Sequence, residues 1–225
     1  MNMQKKTKQL LEELLPAMEF HRDPALALPM ARYMKNLFPY LGIKQPLRKT
    51  LSARFMKEAK DLDNAEIIAL ADALWNKPER EFQYIAMELL YAARKKWDNK
   101  SLPFFCSLVN RKPWWDTVDF IASKLIGTYY AGKHKPPKMI AWSATNDLWQ
   151  NRTAILFQLN YKKATDSGLL FAIINRVKHK KDFFIQKAIG WSLRQYHRTD
   201  PAAVELFVEQ AAINGLAKRE ALKHA

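Results

Sequence analysis

The sequence predicts an all-α protein built as a solenoid of stacked helix pairs, on three observations. Glycine is rare, six in 225 residues, too few for the turns and phosphate loops that sheet-rich or dinucleotide-binding folds consume. Apolar residues recur at helical spacing. Prolines fall mostly where helices should start or stop, at Pro24, Pro46, Pro78, Pro103, Pro113, Pro136 and Pro201. The expected pattern is many helices of about ten to eighteen residues joined by short links, in a single domain over residues 1–225.

Near the N-terminus, Leu10, Leu11, Leu14, Leu15 and Met18 form one apolar stripe. Ala65, Ile68, Leu70, Ala71, Leu74 and Trp75 form a second. A repeat follows: Glu81, Trp115, Trp149 and Phe183 are each 34 residues apart. Aligned on them, EFQYIAMELL, WDTVDFIASK, WQNRTAILFQ and FFIQKAIGWS share two columns. These are Ala86, Phe120, Ala154 and Ala188, then Met87, Ile121, Ile155 and Ile189. A small or aromatic residue followed by a long aliphatic is what stacked helix pairs need where they touch, and such stacking generates a concave surface.

Charge narrows the partners. Lys and Arg number 37 against 22 acids, a net charge of +15, which attracts phosphates or an anionic membrane surface. Basic residues recur along the whole chain, among them Arg32, Lys49, Lys95, Arg111, Lys138, Lys162, Arg176, Arg194 and Lys218. That spread fits a track along an extended polyanion better than one docking spot. Cys106 stands alone, so no internal disulfide forms and a reducing compartment is expected. No apolar run approaches the roughly eighteen residues of a membrane span, and MNMQKKTKQLLEELL lacks the apolar core of a signal peptide. A cytoplasmic protein without a membrane partner is expected. His21, His134, His179, His197 and His224 have no metal-ligand spacing, and nucleotide-loop and nucleophile-elbow motifs are lacking. No metal and no cofactor are expected.

The segment KPWWDTVDF, residues 112–120, sets two indoles beside two carboxylates. With the first residue of each aligned segment at zero and 100° per residue, Trp115, Asp119, Arg152 and Trp191 fall at roughly 0°, 40°, −60° and 80°. Arg194 falls near 20°, and the Ala and Ile columns point away. A carboxylate between aromatic faces can stabilise a developing cation such as an oxocarbenium-like sugar. Indole faces attract cations, and arginine pairs with phosphate. Each residue also has a plainer reading: Trp115 and Trp191 as core, Asp119 as an exposed helix acid, Arg152 as a solvated charge. Asp116 as a local cap and Trp114 as packing complete that reading.

WWDTVDFIASKLIG, NRTAILFQL and FFIQKAIGWSLRQY closely resemble the AlkD family of DNA alkylation repair proteins. The opening PMARYMKNLFPYLGIKQPLRK and the closing LAKREALKH resemble it too, and the likeness covers nearly the whole chain in order. The resemblance implies a HEAT-like solenoid with a concave basic groove. It also implies a monofunctional DNA glycosylase of base excision repair, acting as a monomer on duplex DNA. Such an enzyme releases cationic alkylpurines, chiefly 3-methyladenine and 7-methylguanine, without metal or cofactor. Matched by motif, Asp119 assists hydrolysis, Trp115 and Trp191 contact the deoxyribose, and Arg152 approaches the DNA backbone. Tyr33 matches an aromatic at the cleft, and Lys44, Lys49 and Arg194 fall on segments that contact DNA. The alternative is a non-catalytic HEAT-like scaffold that binds nucleic acid or protein, since fold alone never establishes function.

Overall fold

The computed structural model describes residues 3–132 and 136–223, and among these every regular element is helical. His134 and His224 lie outside the described residues. No described helix is long and apolar enough to cross a membrane. The chain divides into two compact units, Met1–Ser101 and Leu102–Ala225.

The first unit holds α1 (Met3–Phe20), α2 (Pro24–Tyr33), α3 (Gln45–Glu58), α4 (Asn64–Trp75) and α5 (Arg80–Ala92). Leu10, Leu14 and Met18, four residues apart, form the buried line of α1, while Leu11 and Leu15 are half-buried beside it. A capping box starts α4: Asp63 accepts from the Glu66 N–H and Glu66 accepts from the Asp63 N–H. The inward face of α4 is Ile67, Leu70, Ala71, Leu74 and Trp75. Leu70, Ala71, Leu74 and Trp75 of the expected stripe lie on it, whereas Ile68 is only half-buried and Ala65 is exposed, because Ile68 lies at the edge of the i, i+3, i+4, i+7 face that starts at Ile67 and Ala65 lies off it. No residue of α2 is buried.

Glu81, the first member of the 34-residue series, is fully buried on α5. Its carboxylate accepts the backbone N–H groups of Leu41, Gly42 and Ile43 at 3.0, 3.0 and 3.1 Å. This fastens the connection between α2 and α3. Gly42 has φ +88, and a Cβ there would stand 2.1 Å from the Asp23 carbonyl oxygen, so only glycine fits. Asp23 in turn caps α2, accepting from Ala25 and Leu26.

The second unit holds α6 (Ser101–Val109), α7 (Trp115–Phe120), a π-helical stretch (Ile121–Ile126) and α8 (Gly127–Tyr130). After these come α9 (Pro137–Trp142), α10 (Leu148–Leu156), α11 (Ser167–Val177), α12 (Phe183–His197), α13 (Pro201–Gln210) and α14 (Gly215–Ala221). The helix α10 packs against both α7 and α12, and α12 packs against α13 and α14. Gly190 permits the last contact: a Cβ on it would lie 2.3 Å from Cβ of Glu220 and 2.8 Å from the Ala217 carbonyl.

One local device recurs and makes the repeat visible in atoms. The fourth residue after the N-cap of α5, α10 and α12 is an amide: Gln83, Asn151 and Gln186. Each reaches back to two carbonyls of the preceding helix end or turn. Gln83 donates to Trp75 and Lys77, Asn151 to Trp142 and Thr145, and Gln186 to Lys178 and Lys180. Helix ends leave such carbonyls without intrahelical donors.

Glu220 of α14 takes Nζ of Lys187 at 2.9 Å and Nη1 of Arg194 at 3.1 Å, both on α12. The hydrogen bond from Lys187 is the largest influence holding its carboxyl below the ordinary 4.5, with Arg194 acting the same way. A lowered folded pKa stabilises the protein fully above the unfolded value, and the effect is lost as pH falls through the folded one. The stability gap between wild type and Glu220→Gln, read from urea unfolding, should therefore be present at neutral pH and close below pH 4.5. In the first unit, Glu81→Ala leaves three buried N–H groups without a partner and should cost at least about 3 kcal/mol in the same measurement. Glu81→Gln, which keeps one acceptor oxygen, should cost less.

Candidate active site

Three helices of the second unit meet through one side chain. From α10, Arg152 donates to both carboxylate oxygens of Asp119 on α7, Nε to Oδ1 at 2.7 Å and Nη2 to Oδ2 at 2.8 Å. Its Nη1 donates to the backbone carbonyl of Phe184 on α12. The pair is a two-point fork, the strongest geometry open to arginine and carboxylate. The Arg152 side chain is 6% exposed and that of Asp119 16%.

The 34-residue alignment sets these two residues about 100° apart, and the structure brings them face to face. The N-caps of α7, α10 and α12 are Trp114, Asp147 and Asp182, so successive helices begin 33 and then 35 residues apart. Asp119, Arg152 and Lys187 are each fifth after their N-cap and occupy one row. Arg152, in its plainer reading a solvated charge, is instead a buried partner of the acid.

Burial pushes the Asp119 carboxyl above its ordinary value of 3.8. The Arg152 guanidinium opposes that rise by hydrogen bond and by charge, and the negative Asp116 adds to it. Without the arginine that rise would be unopposed, and the carboxyl would hold its proton to higher pH. The arginine favours the ionised form there, by hydrogen bond and by charge.

A second layer joins the same helices. Trp114 meets Trp149 edge-on at 5.6 Å and Phe184 at 5.1 Å, while Trp149 and Phe184 lie 5.3 Å apart. Trp114 is thus packing, as its plainer reading had it. The Arg152 guanidinium lies 5.9 Å from the Phe184 ring. Trp115, the first residue of α7 and one turn before Asp119, is half-buried rather than core, and so is Trp191 on α12.

Directly after Asp119 and Phe120 the helix widens into its π-helical stretch, a feature frequent at functional sites. Ser123 Oγ donates to the Asp119 carbonyl at 2.7 Å. Asn160 donates to the Ser123 carbonyl at 3.1 Å and the Tyr161 hydroxyl to that of Gly127 at 2.7 Å. Two side chains from one turn thereby take up carbonyls in and beside the widened stretch.

Arg194 pairs with Glu220, a residue the sequence reading did not single out. A lone glutamate in LAKREALKH carries no signal of its own. In the first unit, Tyr33 ends α2 with 70% of its surface exposed. Lys44 is the exposed N-cap of α3, and Lys49 is exposed on that helix. Among the described residues, no three of His, Cys, Asp and Glu are grouped to hold a metal ion. Cys106 is buried and its thiol is pushed up to about 11, which suits packing rather than nucleophilic attack.

Comparison with curated proteins finds no match. Among solved structures, the chain is similar to a predicted DNA alkylation repair enzyme from Enterococcus faecalis, with 33% identity and a TM-score of 0.86. The similarity covers 91% of this chain and 96% of that one. The family model described as DNA alkylation repair enzyme matches residues 14–225, and with that match the chain belongs to the DNA alkylation repair enzyme family.

Proposed function

We propose that the protein is a monofunctional DNA glycosylase that releases cationic alkylpurines, 3-methyladenine and 7-methylguanine, from duplex DNA. It would act as a monomer in the cytoplasm, in the first step of base excision repair. The observation that carries this reading is the Asp119 carboxylate, partly buried, gripped at both oxygens by Arg152 and preceded by Trp115 one turn earlier. Family membership supplies alkylated DNA as the context.

The chemistry follows from the lesion. Alkylation gives the purine a positive charge, so the C1′–N bond breaks with its electron pair passing to the base, which leaves neutral. Positive charge is transferred to the sugar. A carboxylate about 4 Å away is worth about 4 kcal/mol at an effective dielectric near 20, some three orders of magnitude in rate. Water then adds to C1′ and Asp119 accepts its proton, so the products are the free base and an abasic sugar. The faces of Trp115 and Trp191 cover the sugar and attract its charge. Arg152 keeps Asp119 ionised and aimed, and any contact it makes with the backbone uses the N–H groups left over from that grip. Tyr33, Lys44, Lys49 and Arg194 contribute to holding the DNA, mostly through phosphates, which carry no sequence information.

Replacing Asp119 by Asn retains shape but removes charge. Single-turnover release of 7-methylguanine from a defined duplex should fall roughly tenfold to a thousandfold, with DNA affinity kept. Asp116→Asn should lose less. Equal rates for wild type and Asp119→Asn would remove Asp119 from the mechanism.

Arg152→Gln isolates the grip. With the opposing cation gone, burial raises the Asp119 carboxyl further, so the rate, which needs the ionised form, should climb at higher pH than in wild type. The pH–rate profile shifts upward, and stability falls by about 3–5 kcal/mol as a partly buried charge loses its partner. An unshifted profile in a folded variant would contradict this role.

A further inference from the structure

Beyond that reading, and resting on it, lies a cluster on α12. Lys187, Trp191 and Arg194 are four and three residues apart and share one face of the helix. Lys187 also continues the row occupied by Asp119 and Arg152, fifth after its N-cap. Two cations therefore flank Trp191 on the helix next to the one that holds the Arg152 fork. Both are tied to the same acid, Glu220, which reaches them because Gly190 lets α14 come close. The cluster is open to solvent: the Lys187 side chain is 38% exposed and that of Arg194 24%. Beside Lys187 stands Phe183, 57% exposed, its ring centre 5.9 Å from the ammonium.

To such donors a carboxylate and a phosphodiester look alike, since each offers two oxygens sharing one negative charge. The geometry points to a phosphodiester site formed by Lys187 and Arg194, in which Glu220 holds the place of the DNA phosphate in the free protein. Duplex binding must then displace Glu220. Its carboxylate lowers affinity equally for all sequences, because phosphate contacts do not read bases. The protein is thereby kept from being held on undamaged DNA. The loss of Glu220 costs stability in either case, but a Glu220 that merely ties α14 to α12 adds no affinity when it is removed.

The test compares wild type and Glu220→Gln on an undamaged duplex by fluorescence anisotropy, from about 50 to 200 mM salt. Glutamine keeps the size and removes the charge. The variant should bind about three- to thirtyfold more tightly, the range spanned by two partly exposed ion pairs. Its plot of log affinity against log salt should stay close to the wild-type slope, because the same phosphate contacts form in both complexes. Lys187→Gln should weaken binding and, combined with Glu220→Gln, cancel part of the gain. Equal or weaker binding by a folded Glu220→Gln variant overturns the site. Should that variant fail to fold, Lys187→Gln alone decides, and unchanged affinity and salt slope overturn it. A wild type that binds no duplex at low salt and releases no base sinks the glycosylase reading instead, and is told apart by being visible without any variant.

Discussion

Arg152 is the point on which the second unit turns. Its guanidinium donates to both oxygens of Asp119 and to the Phe184 carbonyl, so α7, α10 and α12 are tied through one rigid planar group. Such a buried pair is a poor source of net stability, because two charges have left water. Its value lies in exclusivity: any arrangement that separates the helices strands a carboxylate, a guanidinium or both. The same contact acts on the Asp119 carboxyl, where burial raises its pKa and the arginine opposes that rise. The Trp114, Trp149 and Phe184 rings give the three helices a second, apolar junction.

The charge surplus has more than one use. Lys96 donates to the carbonyls of Lys60 and Leu62, and Lys178 to that of Ala211. Lys180 donates to the Thr145 carbonyl and the Asn151 side chain, and Arg176 to the Ile140 carbonyl and the Ser143 hydroxyl. These cations close helix ends and turns, where carbonyl groups point outward and positive charge is favoured. Lysine and arginine therefore help assemble the repeat as well as offering charge to a polyanion. A net charge read from composition sums both kinds, so it points to the partner's sign more surely than to the size of the binding track.

Glycine is rare here, and two of its six residues show why. Gly42 admits the Asp23 carbonyl and Gly190 admits α14, in both cases because no Cβ stands in the way. Each close approach brings a carboxylate to its task. Beside Gly42, Glu81 gathers three backbone N–H groups; beside Gly190, Glu220 gathers two cations. Both acids sit where backbone N–H groups or cations would otherwise lack this partner.

Helical periodicity, proline placement and scarce glycine determined the all-helical repeat fold before any coordinates, because each acts over a few residues. The α1 stripe of Leu10, Leu11, Leu14, Leu15 and Met18 contains the buried Leu10, Leu14 and Met18, and the α4 stripe contains the buried Leu70, Ala71, Leu74 and Trp75 but has Ile68 in place of the buried Ile67. The motif WWDTVDF and its resemblance singled out Asp119, Trp115, Arg152 and Trp191 as candidates. What they do to one another was decided by tertiary structure. A strict 34-residue period put Asp119 and Arg152 on about one side of the helices but 100° apart, while unequal turns, starting helices 33 and 35 residues apart, put them in one row. The length of a turn is invisible to periodicity, and a single residue of slip rotates a helical side chain by 100°. Glu220 was illegible for a related reason: its partners lie 33 and 26 residues away, and only the packing of α14 on α12 at Gly190 brings them together.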